Sequence, residues 1–145
     1  MLYLASDHRG FELKGKIKQY LSTERIVFED LGALELVPGD DYPDYAKVLA
    51  EKILKDKNNL GIALCGSGAG MSIALNRFKG ILAGVAVNPE MVRADKQEDN
   101  INVLVLPANF MDEKTALESV SMFLNTEFDK AERRIRRLNK VDSDG

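Results

Sequence analysis

The sequence has little of several residue types, and each shortage excludes a class of site. Among its 145 residues there are one cysteine, one histidine and no tryptophan. A single cysteine excludes an internal disulfide and fits a reducing compartment. One cysteine and one histidine cannot build a Cys/His zinc site, and neither HExxH nor CxxC occurs. These counts predict a cytoplasmic protein without a Cys/His zinc site, and we also expect no cofactor.

A strong charge of one sign and long hydrophobic runs are also lacking. The net charge of −3 gives no general attraction to nucleic acid or to an anionic membrane surface. The N-terminal apolar run meets a charge at Asp7, which makes it too short for a signal peptide, and no segment approaches the length of a membrane span. We expect one domain over residues 1–145 that binds a small molecule, rather than nucleic acid or a membrane.

Short apolar runs alternate along the chain with stretches that carry apolar residues at helical spacing. The runs cover residues 2–5, 26–28, 62–64, 81–87 and 102–106. Because they are apolar throughout, they predict strands that are buried on both faces. The pattern predicts an α/β fold, with a five-stranded parallel sheet and helices on both faces. A basic helix is predicted within residues 128–145, with a frayed tail from residue 142.

Polar residues follow each predicted strand and should meet at one edge of the sheet. Asp7 and His8 follow the first run, residues 38–45 follow the second, residues 65–70 the third and Asn88 the fourth. Ligands of parallel sheets bind beyond the carboxyl ends of the strands, so we expect these residues to share one rim. The alternative is that Asp7 and His8 form a capping pair and that residues 38–45 only begin a helix.

The segment with the most distinctive chemistry is the glycine-rich loop in LGIALCGSGAGMSIALN, residues 60–76. An apolar run leads to Cys65, glycines then alternate at Gly66, Gly68 and Gly70, and a helical pattern follows. A strand, glycine turn and helix N-terminus present backbone N–H groups to an anion. The spacing is not G-x-G-x-x-G and no G-K-[ST] follows, which argues against a nucleotide-binding module. A tight turn without a ligand is the structural alternative.

Two further groups are candidates for chemistry. Cys65 and Ser67 lie at the lip of the glycine loop, where amides and a helix N-terminus favour a reactive thiolate, although free cysteine is often simply part of the core. Arg133 and Arg137 are four residues apart, so they share one helix face and could hold one phosphate together. The alternative is a solvated basic face on a last helix.

Five segments in chain order together resemble the ribose-5-phosphate isomerase B family, which includes the galactose-6-phosphate isomerase subunits. They are SDHRGFELK at 6–14, DYPDYA at 41–46, CGSGAGMSIALNRFKGI at 65–81, NVL at 102–104 and RRIRR at 133–137. The resemblance implies a Rossmann-like three-layer sandwich and a homodimer with active sites at its interface. It also implies interconversion of aldose and ketose phosphates without a metal. It leaves open whether dimers pair into tetramers.

The resemblance also implies residue roles. Cys65 would move a proton between C1 and C2 of the sugar, Ser67 would help to shuttle the hydroxyl proton, and the loop amides would stabilise the enediolate. The substrate contacts that the resemblance implies are Asp7, His8, Tyr42, Gly66, Gly68, Ala69, Gly70, Asp99, Asn100, Arg133 and Arg137.

The largest departure from the family pattern concerns ring opening. The family typically has His-Asn-Asp where this chain has Glu98, Asp99 and Asn100, and that histidine opens the furanose ring. Glu98 is the candidate acid or base in its place, provided that its pKa is raised.

Two smaller departures concern phosphate binding. Pro107 and Asn109 stand where the family often has a glycine and a phosphate-holding arginine, and Ala131-Glu132 replaces Gly-Gly. We predict an isomerase of ribose 5-phosphate and ribulose 5-phosphate. The alternatives are an isomerase of a six-carbon aldose 6-phosphate, of the allose or galactose type, and a non-catalytic sugar-phosphate-binding homologue.

Overall fold

The computed structural model describes residues 1–143 and contains a single parallel sheet in that range. Its strands are β1 (Leu2–Ser6), β2 (Phe28–Asp30), β3 (Leu60–Cys65), β4 (Ala83–Val85) and β5 (Val103–Pro107). Their order across the sheet is β2-β1-β3-β5-β4, and all four pairings are parallel. The central strand β3 therefore carries Cys65 to the carboxyl edge in the middle of the sheet.

Residues 1–143 contain six α-helices, of which the first five cover the two faces of this sheet: α1 (Phe11–Thr23), α2 (Tyr42–Ile53), α3 (Ala69–Leu75), α4 (Pro89–Asp99), α5 (Glu113–Asn125) and α6 (Glu132–Val141). Buried residues of α1, α4 and α5 share one core with the sheet, while those of α2 and α3 share the other. Two apolar layers around one sheet explain why the strands are apolar along their whole length. The predicted α/β sandwich of Rossmann-like type is confirmed.

Two strand positions differ from the sequence prediction. The second strand begins at Phe28 rather than at Ile26, because the N–H of Ile26 closes the end of α1 by donating to the carbonyl of Leu21. The fourth strand is limited to Ala83–Val85, although its apolar run is longer. The side chain of Asn76 bonds the N–H and the carbonyl of Ala83, at 2.8 and 2.9 Å, at the sheet edge that β4 forms.

The C-terminal helix packs beside α4 and begins later than predicted, at Glu132. Beyond its end, a carboxylate oxygen of Asp142 accepts the N–H of Gly80 at 2.9 Å. The last two residues of the predicted frayed tail, residues 144 and 145, lie outside the described range. Within residues 1–143, every helix is too short or too polar to cross a membrane.

Candidate active site

A pocket opens where the sheet predicts a ligand, beyond the carboxyl ends of β1 and β3. It has a volume of about 240 Å³. Its lining residues come from the β1–α1 turn, the segment before α2 and the glycine loop: Asp7, His8, Arg9, Asp40, Tyr42, Cys65, Gly66, Ser67 and Gly70. A larger cavity, of about 410 Å³, lies where β3, β4 and β5 begin, and neither the thiol nor the histidine lines it. The smaller pocket therefore holds the candidate chemistry.

Close backbone approaches explain why the loop after β3 needs glycine. Gly68 has φ +81, a left-handed conformation that side chains rarely adopt. A Cβ at Gly70 would lie 2.7 Å from Cζ of Tyr42, so the tyrosine ring lies directly against this glycine. A Cβ at Gly66 would lie 2.8 Å from Cδ of Arg9. The loop thus brings bare backbone against an aromatic ring and a cationic side chain.

His8 is held by a carboxylate that the sequence did not single out. Oδ1 of Asp40 accepts the backbone N–H of His8 and also lies 2.8 Å from its Nδ1. Oδ2 accepts the hydroxyl of Tyr45 at 2.9 Å. Burial alone would raise the pKa of Asp40, but the bonds from His8 and Tyr45 outweigh burial and lower it. Asp40 is therefore an ionised acceptor that fixes the imidazole.

Asp7 is buried at the start of the β1–α1 turn, where Oδ1 accepts the N–H groups of Arg9 and Gly10 at 2.9 and 3.2 Å. These bonds stabilise the turn before α1 but do not cap the helix, whose N-cap residue Gly10 makes no side-chain capping bond, and Asp7 also lines the pocket. Asp7, His8 and Asp40 each offer a ligand atom, and these atoms lie within 4.8 Å of one another. Among these groups, Nδ1 of His8 is already bonded to Asp40.

The thiol and the hydroxyl of the glycine loop occupy different environments. Cys65 is 4% exposed and is packed in the core layer of α2 and α3, yet it lines the pocket. Ser67 is exposed, and its Oγ accepts the N–H of Ala69 at 3.3 Å. Gly68 and Ala69 belong to the loop but are not among the pocket-lining residues.

Glu98, Asp99 and Asn100 lie elsewhere in this chain. They end α4 just before β5, at the edge where the strands begin, and so opposite the pocket. The Glu98 side chain is 56% exposed, with Oε1 3.8 Å from Nη2 of Arg134. Asp99 is exposed, and Asn100 adopts φ 49 and terminates the helix, a conformation that asparagine tolerates.

The C-terminal arginines do not line the pocket either. Arg133 and Arg137 are exposed on α6. Arg134, between them, turns toward α4: its Nη1 lies 2.9 Å from Oδ2 of Asp129 and donates to the carbonyl of Gln97. Seven of the fourteen predicted site residues therefore line one pocket, two more belong to its loop, and five lie near α4 and α6.

Sequence reasoning missed Arg9, Asp40 and Tyr45. Arg9 directly follows the Asp7-His8 pair, and Asp40 directly precedes the DYPDYA segment, so proximity to those motifs was the available signal. Tyr45 was assigned only to a helical stripe, because a hydrogen bond across five residues leaves no periodic pattern.

Comparison with known proteins agrees with this geometry. The family model for ribose/galactose isomerases matches residues 2–141. The chain belongs to this family. A crystal structure of a ribose 5-phosphate isomerase from Thermotoga maritima superposes on this family member with a TM-score of 0.93 at 44% identity, over 97% of this chain and 96% of the other. For the isomerase B from Mycoplasma genitalium, solved with bound ribulose-5-phosphate, the TM-score is 0.92 at 37% identity. The match covers 97% of this chain and 92% of the other.

A curated relative gives the same result at the level of sequence. The protein of Mycoplasma pneumoniae named a probable ribose-5-phosphate isomerase B is 39% identical over 140 residues, which are 97% of this chain and 91% of the relative. The chain therefore spans nearly the full length of the proteins that it resembles.

Proposed function

We propose that this protein is an aldose–ketose isomerase of sugar phosphates and interconverts ribose 5-phosphate and ribulose 5-phosphate. The observation that carries the proposal is one pocket that combines a thiol, a glycine loop and an Asp-His pair in a member of the ribose/galactose isomerase family. The Mycoplasma genitalium isomerase B, which matches 97% of this chain and was solved with bound ribulose-5-phosphate, supports this substrate.

In the proposed mechanism, Cys65 acts as a thiolate base. It removes the hydrogen from the carbon next to the carbonyl, and the resulting enediolate is held by N–H groups of the glycine loop. Ser67 passes the hydroxyl proton between the two oxygens, and Cys65 returns its proton to the neighbouring carbon.

The proposed assembly is a cytoplasmic homodimer with active sites at the interface. The predicted contacts at Glu98, Asp99, Asn100, Arg133 and Arg137 lie away from the pocket of their own chain, so they serve catalysis only if a second copy brings them to it. The exposed guanidinium groups of Arg133 and Arg137 are suited to a phosphate that projects from the pocket mouth. Pairing of dimers into tetramers is compatible with this arrangement.

A coupled ketose-release assay tests the proposal. Ribose 5-phosphate, allose 6-phosphate and galactose 6-phosphate are supplied in turn to the wild type and to Cys65→Ala. Turnover of ribose 5-phosphate that depends on Cys65 is the expected result. Turnover only of a six-carbon sugar phosphate would support the proposed reaction but show that ribose 5-phosphate is not its substrate. Thermal stabilisation by these sugars without any turnover would favour the non-catalytic homologue.

A further inference from the structure

The aldose substrate of the proposed reaction needs a step before proton abstraction. A five-carbon aldose 5-phosphate closes into a furanose through its O4, and the closed ring has no carbonyl to acidify the C2 hydrogen. An acid or base must therefore act at O1 or O4 before Cys65 acts at C2. Ribulose 5-phosphate, whose O5 is esterified, stays open and needs no such step.

Within the pocket, His8 is the side chain best placed for this step. Since the ionised Asp40 can only accept a hydrogen bond, Nδ1 of His8 must be the donor, and a neutral imidazole then carries its lone pair on Nε2. Nε2 has no hydrogen-bond partner among residues 1–143, and the side chain remains 29% exposed in a pocket-lining position. A fixed donor on one nitrogen and a free lone pair on the other are what a general base requires.

Asp40 is itself held in place. Both of its oxygens are engaged, one by His8 and the other by the hydroxyl of Tyr45. Burial, followed by the hydrogen bond to Asp40, raises the pKa of Tyr45, so its hydroxyl keeps the proton that it donates. Glu98, by contrast, is exposed beside Arg134 on the opposite edge.

We infer that His8, oriented by Asp40 and Tyr45, is the group that opens the sugar ring in this site. This inference rests on the proposed function and deepens it. Nε2 takes the proton from the C1 hydroxyl, the C1–O4 bond breaks as the carbonyl forms, and O4 takes a proton from water. The imidazolium then returns its proton to solvent, so that no net proton is consumed. Asp40 and Tyr45 are positioning residues.

The test compares two rates that pass through the same enediolate, of which only the first requires ring opening. The first is kcat/KM for conversion of ribose 5-phosphate to ribulose 5-phosphate, and the second is the exchange of the C1 hydrogen of ribulose 5-phosphate with D₂O, followed by NMR. His8→Asn keeps an amide donor for Asp40 but lacks Nε2. We expect it to lower isomerisation about 100-fold and exchange by less than about threefold.

Asp40→Asn should also lower isomerisation more than exchange, with about a 10-fold loss of isomerisation. Tyr45→Phe should have the same effect but more weakly. Asp41→Asn is the matched control, because this neighbouring aspartate is exposed and its side chain makes no capping bond. A misfolded variant would lose both rates equally. A variant that no longer positions His8 would instead lose isomerisation more than exchange.

Three results would overturn the inference. An equal loss of both rates in His8→Asn would make His8 a binding residue only. If Glu98→Gln lowered isomerisation more than exchange and His8→Asn did not, ring opening would be assigned to the Glu98 carboxylate of a second copy. Absence of both turnover and C1 exchange in the wild type would defeat the proposed function, and the inference would fall with it; turnover by the wild type keeps the two failures distinguishable.

Discussion

Two regions that the sequence assigned to one site are built differently in this chain. In the pocket, both carboxylates are satisfied: Asp7 accepts two backbone N–H groups, and Asp40 accepts His8 and Tyr45. Near the end of α4, burial, followed by repulsion from Asp99 and Glu98, raises the pKa of Asp95 to about 6. The pocket is thus organised within one chain, whereas the α4–α6 region, defined by residues 95–100 and 129–137, contains carboxylates that repel one another at Asp95, beside exposed arginines.

This difference indicates where each region obtains its partners. A pocket whose polar groups already bond to one another is preorganised for chemistry, since little has to move when a ligand binds. In the α4–α6 region Glu98 pairs with Arg134, whereas Asp99, Arg133 and Arg137 are exposed and make no ion pair within residues 1–143.

Cys65→Ala should have the largest effect on activity. Removal of the proposed base should lower turnover of ribose 5-phosphate by about 10³-fold, within the range of general-base catalysis. Binding should survive, because the glycine loop and the Asp-His pair remain, and thermal shift with ribulose 5-phosphate measures it. Turnover that persists above about one-tenth of wild type would contradict a role for the thiol in proton transfer.

Gly70→Ala should disturb the pocket without changing any charged or reactive group. A Cβ would lie 2.7 Å from Cζ of Tyr42, so the ring must shift, and we expect kcat/KM to fall about 10- to 100-fold. Gly15→Ala is the matched control: this glycine lies in α1, and a Cβ there would meet nothing within 4 Å. It should keep full activity and gain about 1 kcal/mol of stability. Equal activity of both variants would contradict the tight fit of Tyr42.

Asp95→Asn tests the charge on the α4–α6 region. The folded-state pKa of Asp95 is raised above its ordinary value of 3.8, so its neutral form favours folding and this contribution is lost as pH rises through about 6. The variant should therefore raise the free energy of unfolding at about pH 8 by about 1–2 kcal/mol, discounted for solvent screening, with little change at about pH 4.

Asp99→Asn should stabilise the protein at about pH 8 in the same direction but by less, since Asp99 is only the second cause of the shift. Denaturant unfolding at both pH values measures both variants. A lower stability of Asp95→Asn at the higher pH would show that its carboxylate has a favourable partner.

A chelator should have the smallest effect. Asp7, His8 and Asp40 could offer three ligand atoms, but Nδ1 of His8 is already bonded to Asp40. We expect EDTA to leave kcat/KM for ribose 5-phosphate unchanged, with the Cys65→Ala variant as the baseline. Loss of activity on chelation, with recovery on addition of one divalent metal, would overturn the prediction that no metal is used.

The sequence predicted the sheet and the pocket well, because their signals are local. Apolar runs mark strands that are buried on both faces, and polar residues after each strand mark one edge, so Cys65 and His8 could be placed together. Asp40 could not be recognised, since its role depends on a fold that brings His8 and Tyr45 to its two oxygens. The bonds from the side chain of Asn76 to Ala83 were hidden for the same reason.

Complementation between inactive variants tests most directly whether a second copy of the chain completes the active site. Cys65→Ala lacks the base, and Arg133→Ala/Arg137→Ala lacks the proposed phosphate contacts from α6. If a second copy supplies α6, a mixed dimer contains one intact site, and refolding the two variants together should restore about a quarter of wild-type turnover. A mixture no more active than its parents, or full activity of the arginine variant alone, would contradict a site completed by the partner.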